Sequence, residues 1–191
     1  LWLNNGSGDF TAANDFDSVD LSTAVIAIAD VDLDGDEDVV VSDDTDNEAA
    51  LYTNDGSGNF TSTTLLSNVG TVGLVELTGD QYPELVRIAS IQISIYKNNA
   101  GTFSSTPRII TYDPCIQGEA FAGLNLDDDN DNDLLISCGT DGGNDDTNFA
   151  MINNGDLNFS IVGDWFTDED IYSQFYPGDY DSDGDMDFFV W

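Results

Sequence analysis

Four times along the chain an acidic loop returns in the same phase: 30–38, 76–84, 125–133 and 179–187. The first reads Asp30-Val31-Asp32-Leu33-Asp34-Gly35-Asp36-Glu37-Asp38, with acids on alternate residues. So many carboxylates cannot be packed side by side without a cation, so each loop needs a counter-charge wherever the fold puts it. Hard oxygen ligands at positions 1, 3, 5 and 9, a backbone carbonyl near position 7 and Gly at the sharp turn describe a Ca²⁺ loop. The candidate metal ligands are Asp30, Asp32, Asp34, Asp36 and Asp38 in the first loop; Glu76, Thr78, Asp80 and Glu84 in the second; Asn125, Asp127, Asp129, Asp131 and Asp133 in the third; and Asp179, Asp181, Asp183, Asp185 and Asp187 in the fourth.

The loops are spaced by 46, 49 and 54 residues, which makes the chain, residues 1–191, a single repeat array. A second element keeps phase with the first: Leu1-Trp2-Leu3-Asn4-Asn5-Gly6-Ser7-Gly8-Asp9-Phe10 recurs as 51–60, 95–103 and 150–159. Its Asn-Asn-Gly and Asn-Asp-Gly steps supply the positive-φ residues of tight hairpins, and the Phe that follows starts the next strand. Short apolar runs flank the loops, such as 24–29 and 39–41, 134–136 and 188–190, and read as strands. The expected unit is strand, calcium loop, strand, connection, strand, turn, strand. No stretch has sustained helical periodicity, and 164–174 is the one ambiguous segment.

The two motifs in fixed order resemble the FG-GAP/VCBS repeat, the unit of integrin-α-like β-propellers in extracellular proteins. The resemblance covers essentially the whole chain. It implies an all-β fold of tandem four-stranded repeats, about four in number and incomplete at both ends, each a propeller blade with calcium between its first two strands. The ligands it carries over are Asp30, Asp32, Asp34 and Asp38; Asn125, Asp127, Asp129 and Asp133; and Asp179, Asp181, Asp183 and Asp187. The second loop departs, with Thr78 at the third position and Gln81 where Gly usually gives φ > 0, so three calcium sites are expected and a fourth is doubtful. Asn130 replaces Gly in the third loop, where Asn tolerates the left-handed region better than most residues.

Other readings of the acids fit less well. An EF-hand needs Glu at position 12, but Val41 and Val190 stand there and the flanks read as strands. Dockerin-like loops need helices and shorter spacing. A merely solvated acidic face would not repeat one ligand phase four times. Thirty-eight acids against three basic residues and no His give a net charge of −35, which excludes phosphate-backbone binding as a function class and disfavours anionic membranes. The apolar share, 40%, is enough for a core.

In an extracellular repeat, Cys115 and Cys138, which bracket the third loop, read as a disulfide across that hairpin rather than two free thiols. The register does not place them opposite each other, so the bond needs a bulge or a loop excursion. Sequons at Asn5, Asn59 and Asn158 would be glycosylation sites in a eukaryotic product, although an Asn- and Ser-rich repeat also generates them by chance. No apolar stretch has membrane-spanning length, and no membrane insertion is expected. The chain begins at the third strand of one unit and stops after the second strand of another. Closure of a small ring, membership of a larger propeller and pairing with other copies all remain open.

Three function classes follow. The first is an extracellular, secreted or cell-surface, calcium-binding scaffold for adhesion to a protein or glycan. The aromatics Trp165, Phe166, Tyr172, Phe175 and Tyr176 are either its stacking surface or, more simply, blade core. The second is a structural subunit of a calcium-stabilised filament or surface array joined head to tail through unpaired strands. The third, an accessory domain of a secreted carbohydrate-active enzyme, follows because nearly all close carboxylate pairs belong to the loops. With no His and no nucleophile motif, the chain itself is expected not to be an enzyme.

Overall fold

β-Branched runs cut by acidic loops and glycine turns can satisfy their backbone groups locally only as antiparallel meanders. The computed structural model describes residues 1–13, 25–43, 47–67, 70–113, 117–129, 131–139, 147–163 and 174–190. Sixteen strands form five antiparallel sheets, and no helix occurs among the described residues. Strands β1 (Trp2–Asn4) and β2 (Phe10–Ala12) make a hairpin. Three four-stranded meanders follow. The first is β3 (Val25–Ala29), β4 (Asp38–Asp43), β5 (Glu48–Asn54) and β6 (Phe60–Ser67). The second is β7 (Thr71–Val75), β8 (Glu84–Ala89), β9 (Gln92–Tyr96) and β10 (Arg108–Thr111). The third is β11 (Gln117–Leu124), β12 (Asp133–Gly139), β13 (Thr147–Asn153) and β14 (Phe159–Val162). A last pair, β15 (Phe175–Gly178) and β16 (Asp187–Val190), ends the described chain.

The repeat read from the sequence is a repeat of register. Ala27, Val40 and Leu51 face one another across β3, β4 and β5; Gly73, Val86 and Ile95 do so across β7, β8 and β9; Ala122, Leu135 and Ala150 do so across β11, β12 and β13. Each acidic loop therefore joins the first two strands of its sheet, as expected.

Successive sheets pack face to face, so the middle strands are buried on both sides and read as continuous apolar runs instead of alternating ones. In β12 every residue from Asp133 to Gly139 is buried. Leu134, Ile136 and Cys138 meet Val86, Ile88, Ile93 and Ile95 of the second meander, while Leu135 packs with Phe175 toward the last pair. Val40 and Leu51 meet Val72 and Leu85 between the first and second meanders.

The first strands lie side by side, β3 against β7, β7 against β11, and β11 against β15. Together they line an open cavity of about 490 Å³ that includes Ile26, Leu74, Phe121 and Tyr176. Glycines let these strands approach: a Cβ at Gly73 would lie 2.7 Å from the Phe121 ring, and one at Gly123 would run into the Val75 side chain.

Some expectations meet a different arrangement or no described residue. Phe10, Phe60 and Phe159 start their strands, but Phe103 does not, because β10 begins only at Arg108. The segment 164–173, with Trp165, Phe166 and Tyr172, lies outside the described residues, as do Asn130 and Cys115. Phe175 is core, whereas Tyr176 is exposed. Cys138 is fully buried and pairs in register with Gly118, beside a register shift between Gly118 and Ala120.

Gly123→Ala is expected to destabilise the protein by about 1–3 kcal/mol, the usual range for overpacking a closed contact. Urea unfolding checks it, and a surface control such as Gly8→Ala, which has open space around it, should shift the midpoint only through its positive φ of 90°.

Candidate metal centre

Each loop must turn the chain back on itself within nine residues, and among the described residues it does so through left-handed residues at the fourth and sixth positions. The fourth position is Leu33 (φ 58°), Gly79 (72°), Asp128 (63°) or Ser182 (63°); the sixth is Gly35 (99°), Gln81 (74°) or Gly184 (102°). The second loop thus keeps the left-handed positions of the first and fourth while carrying its glycine two places earlier, and Gln81 takes the strained sixth position. A non-glycine residue there costs about 1–2 kcal/mol, so the surrounding bonds must hold it.

Those bonds come from the first residue. Asp30 accepts the Asp34 and Gly35 amides at 3.1 and 3.0 Å, and Asp179 accepts those of Asp183 and Gly184 at 3.2 Å each. In the second loop Glu76 Oε1 gathers the amides of Thr78, Gly79 and Asp80 at 2.9, 2.6 and 3.2 Å. In the third, Asn125 Oδ1 accepts the Asp128 amide at 2.8 Å, and its Nδ2 donates to the Asp129 carbonyl at 2.6 Å.

The ninth residue performs one task four times. Its carboxylate accepts the amide of the second residue: Val31 to Asp38 (3.0 Å), Leu77 to Glu84 (2.8 Å), Leu126 to Asp133 (2.6 Å) and Tyr180 to Asp187 (3.0 Å). The carboxylates of Asp38, Glu84 and Asp133 are fully buried. Their other bond goes to the hairpin: the Asn54 amide donates to Asp38 and the Asn153 amide to Asp133, both at 2.8 Å, and the Asn98 amide donates to Glu84. The acidic loop and the Asn of the hairpin motif keep phase in the sequence because they are bonded in the fold.

The same Asn residues join one sheet to the next. Asn98 Nδ2 donates to the Pro83 carbonyl of its own loop at 3.1 Å and to the Val31 carbonyl of the preceding loop at 2.7 Å. Asn153 Nδ2 likewise reaches Asn132 at 3.3 Å and, in the preceding loop, Leu77 at 2.6 Å. Asn132 adds a bond to the Glu76 carbonyl at 2.8 Å. In the sequence these Asn residues look only like turn formers, and this second role is not apparent. The signal was present in their fixed distance from each loop.

Cation geometry separates the loops. One oxygen each from Asp30, Asp32 and Asp38 lie within 4.8 Å of one another, and so do those of Asp179, Asp181 and Asp187. A Ca²⁺ ion with oxygens at about 2.4 Å spans that separation, so both sets fit the ion. Asp34 and Asp183 stand outside these groupings and accept the Asp36 and Asp185 amides, each at 3.0 Å. Asp36 turns its carboxylate toward Gly56 of the hairpin. Among the described residues the second and third loops form no such grouping. In the second, Lys97 Nζ lies 3.7 Å from Asp80. In the third, Asp131 keeps a buried oxygen without a hydrogen-bond partner, an acceptor suited to a cation or water.

The electrostatics follow the burial. Burial pushes the Glu84 carboxyl up to about 7, against the amide bonds it accepts, with Asp80 and Glu76 adding repulsion. Burial and then the neighbouring carboxylates Asp129 and Asp133 push Asp131 up to about 6. Asp32 and Asp133 are raised chiefly by burial as well.

No family model matches the chain, and no characterised protein matches it in sequence. In fold it is similar to a lectin of Agrocybe aegerita described as recognising non-reducing terminal N-acetylglucosamine, with a TM-score of 0.70 and 20% identity. The match covers 100% of this chain and 54% of that one, so the chain spans about half the length of the lectin it resembles. At that identity the likeness concerns the fold.

Two outcomes test this geometry. Asp38→Ala strips the acceptor from two amides, those of Val31 and Asn54, and is expected to cost about 2–5 kcal/mol in urea unfolding. For Glu84, the unfolded carboxyl takes its proton near 4.5 and the folded one near 7, so the folded state holds the extra proton between them. Its contribution to stability is full below pH 4.5 and is lost as the pH rises through 7. In chelator, Glu84→Gln should flatten the fall of the melting temperature across that window.

Proposed function

We propose that the chain is an extracellular calcium-binding repeat module whose sheets are β-propeller blades of FG-GAP/VCBS type, serving as a rigid scaffold for binding a protein or glycan. The observation that carries the reading is the convergence of Asp30, Asp32 and Asp38, repeated at Asp179, Asp181 and Asp187, within 4.8 Å in loops whose ninth carboxylate also accepts the amide of the second residue. An ion there would neutralise crowded charge and stiffen the link between strands. The neighbouring first strands of four sheets support the propeller reading, and the lectin-like fold supports a glycan as partner. The first and fourth loops are the strongest calcium sites in this reading. The third follows through its buried Asp131 oxygen, and the second is held by Glu76 and Lys97 instead of an ion.

A disulfide between Cys115 and Cys138 belongs to the same reading. It is supported by the register shift in β11 beside Cys138 and by the absence of a free thiol among the described residues. The loop carboxylates are engaged by backbone amides, which supports binding over catalysis. A second reading, self-association through β1–β2 and β15–β16, is favoured by the exposure of Trp2 (67%) and Phe189 (59%), whose counterparts Tyr52 and Val40 are buried.

A thermal melt in calcium and after chelation at fixed ionic strength tests the proposal. Calcium is expected to raise the melting temperature strongly, and Asp32→Asn and Asp181→Asn each to remove part of that gain, about a few kcal/mol apiece. An unchanged melt in chelator would refute the metal assignment.

A further inference from the structure

The hairpin between β9 and β10 departs from its counterparts, and the departure opens a cleft. Five residues lie between Asn4 and Phe10, Asn54 and Phe60, and Asn153 and Phe159, but four between Asn98 and Phe103. The shorter turn runs through Ala100 (φ 51°) and Gly101 (φ 83°), and Phe103 bridges back to Asn98. The chain then makes an excursion through Ser104–Pro107 before β10 begins at Arg108. Ser104 anchors it, donating its amide to the Lys97 carbonyl at 2.8 Å and its hydroxyl to the Thr106 carbonyl at 2.9 Å. Pro107 has no N–H to offer a ladder. Where the other meanders start a fourth strand, this one therefore leaves a gap against β5 and β6 of the preceding sheet, with a volume of about 610 Å³.

The chemistry of this gap is unlike that of the acidic loops. Tyr96 and Phe103, both half-buried, form an aromatic wall, and Thr53, Thr63, Thr102 and Ser105 bring hydroxyls around it. No lining residue carries an acid or a base, in a chain with 38 acids. Of the other described cavities, the one between the third and fourth loops is lined by Asp127, Asp128 and Asp185, and the one along the first strands is also uncharged but largely aliphatic and aromatic.

A flat ring face accepts the C–H face of a sugar, and hydroxyls exchange hydrogen bonds with its rim without paying to desolvate a charge. The field of a chain at −35 repels anionic ligands, while cations are drawn to the loops. The volume lies within the range of small-ligand sites, roughly 300–1,000 Å³. We propose that this cleft is a binding site for a neutral saccharide of one or two sugar residues. The proposal rests on the binding-module reading above and assigns it a site; it does not require calcium in the cleft.

Calorimetry and saturation-transfer NMR with cellobiose and N,N′-diacetylchitobiose as neutral probes, and digalacturonate as the anionic one, test it in calcium-containing buffer. At least one neutral probe is expected to bind, and the anionic probe is not. Phe103→Leu keeps the apolar packing but removes the ring, and is expected to weaken binding roughly tenfold. Thr63→Trp and Ser105→Trp, both at exposed positions, fill the cleft and are expected to abolish binding without lowering the melting temperature. The proposal is overturned if no neutral probe binds at millimolar concentration, or if binding is unchanged in both filled variants. Chelation separates it from the calcium reading. Saccharide binding with a melt indifferent to chelation defeats the calcium reading and leaves the cleft, whereas a calcium-dependent melt with no saccharide bound defeats the cleft alone.

Discussion

The ninth carboxylate of each loop is the contact on which the repeat depends. In the three meanders it is placed in the interior with no cationic side chain bonded to it among the described residues, and it is tolerated because its oxygens accept backbone amides from two directions. One amide belongs to the loop and, in the three meanders, the other to the end of the third strand. Loop, second strand and hairpin thereby become one unit. The Asn whose amide is held this way in the second and third meanders then donates its side chain to the preceding loop, which makes adjacent units one body. Apolar packing between sheets supplies the bulk of the stabilising area, but it is the amide clamp that sets which residues face which.

Much of this was legible in the sequence, for a physical reason. A β-hairpin and a cation loop both require particular backbone angles and particular oxygens at fixed offsets, so their residues repeat visibly. The four-strand unit and the loop between its first two strands were readable from the recurrence of 30–38 and 51–60 along the chain, and the half-sheets at either end from 1–10 and 179–190. What could not be read was any property that depends on side chains meeting across sheets. Asn98 and Asn153 look like turn residues because their partners lie 67 and 76 positions away. Gln81 looked like a defect in the second loop, yet it holds the same left-handed angle, since Glu76 gathers three amides around that turn. Phe103 matched the motif but does not start a strand, because the turn before it is one residue short and Pro107 follows.

The four loops share the left-handed fourth residue and the bond from the second residue's amide to the ninth carboxylate, and differ in how they manage charge. The first and fourth bring three carboxylates to the span of one ion. The second places an ammonium beside its fifth position and a buried acid with a high pKa at its ninth. The third crowds Asp127, Asp129, Asp131 and Asp133 together and raises the proton affinity of Asp131 and Asp133. Like charges at such distances oppose folding unless a cation or a proton relieves them. The repeat therefore tolerates several solutions to one electrostatic problem, provided that the clamp at the ninth position survives.

Amide hydrogen exchange, followed residue by residue in calcium and in chelator, tests the central claim most directly. The clamped amides of Val31 and Asn54 should exchange slowly in calcium and much faster without it, while those of Leu77 and Asn98, held around the loop with its own lysine, should change far less. Equal exchange at all four amides under both conditions would contradict the account, because the clamp and the cation would then be unconnected.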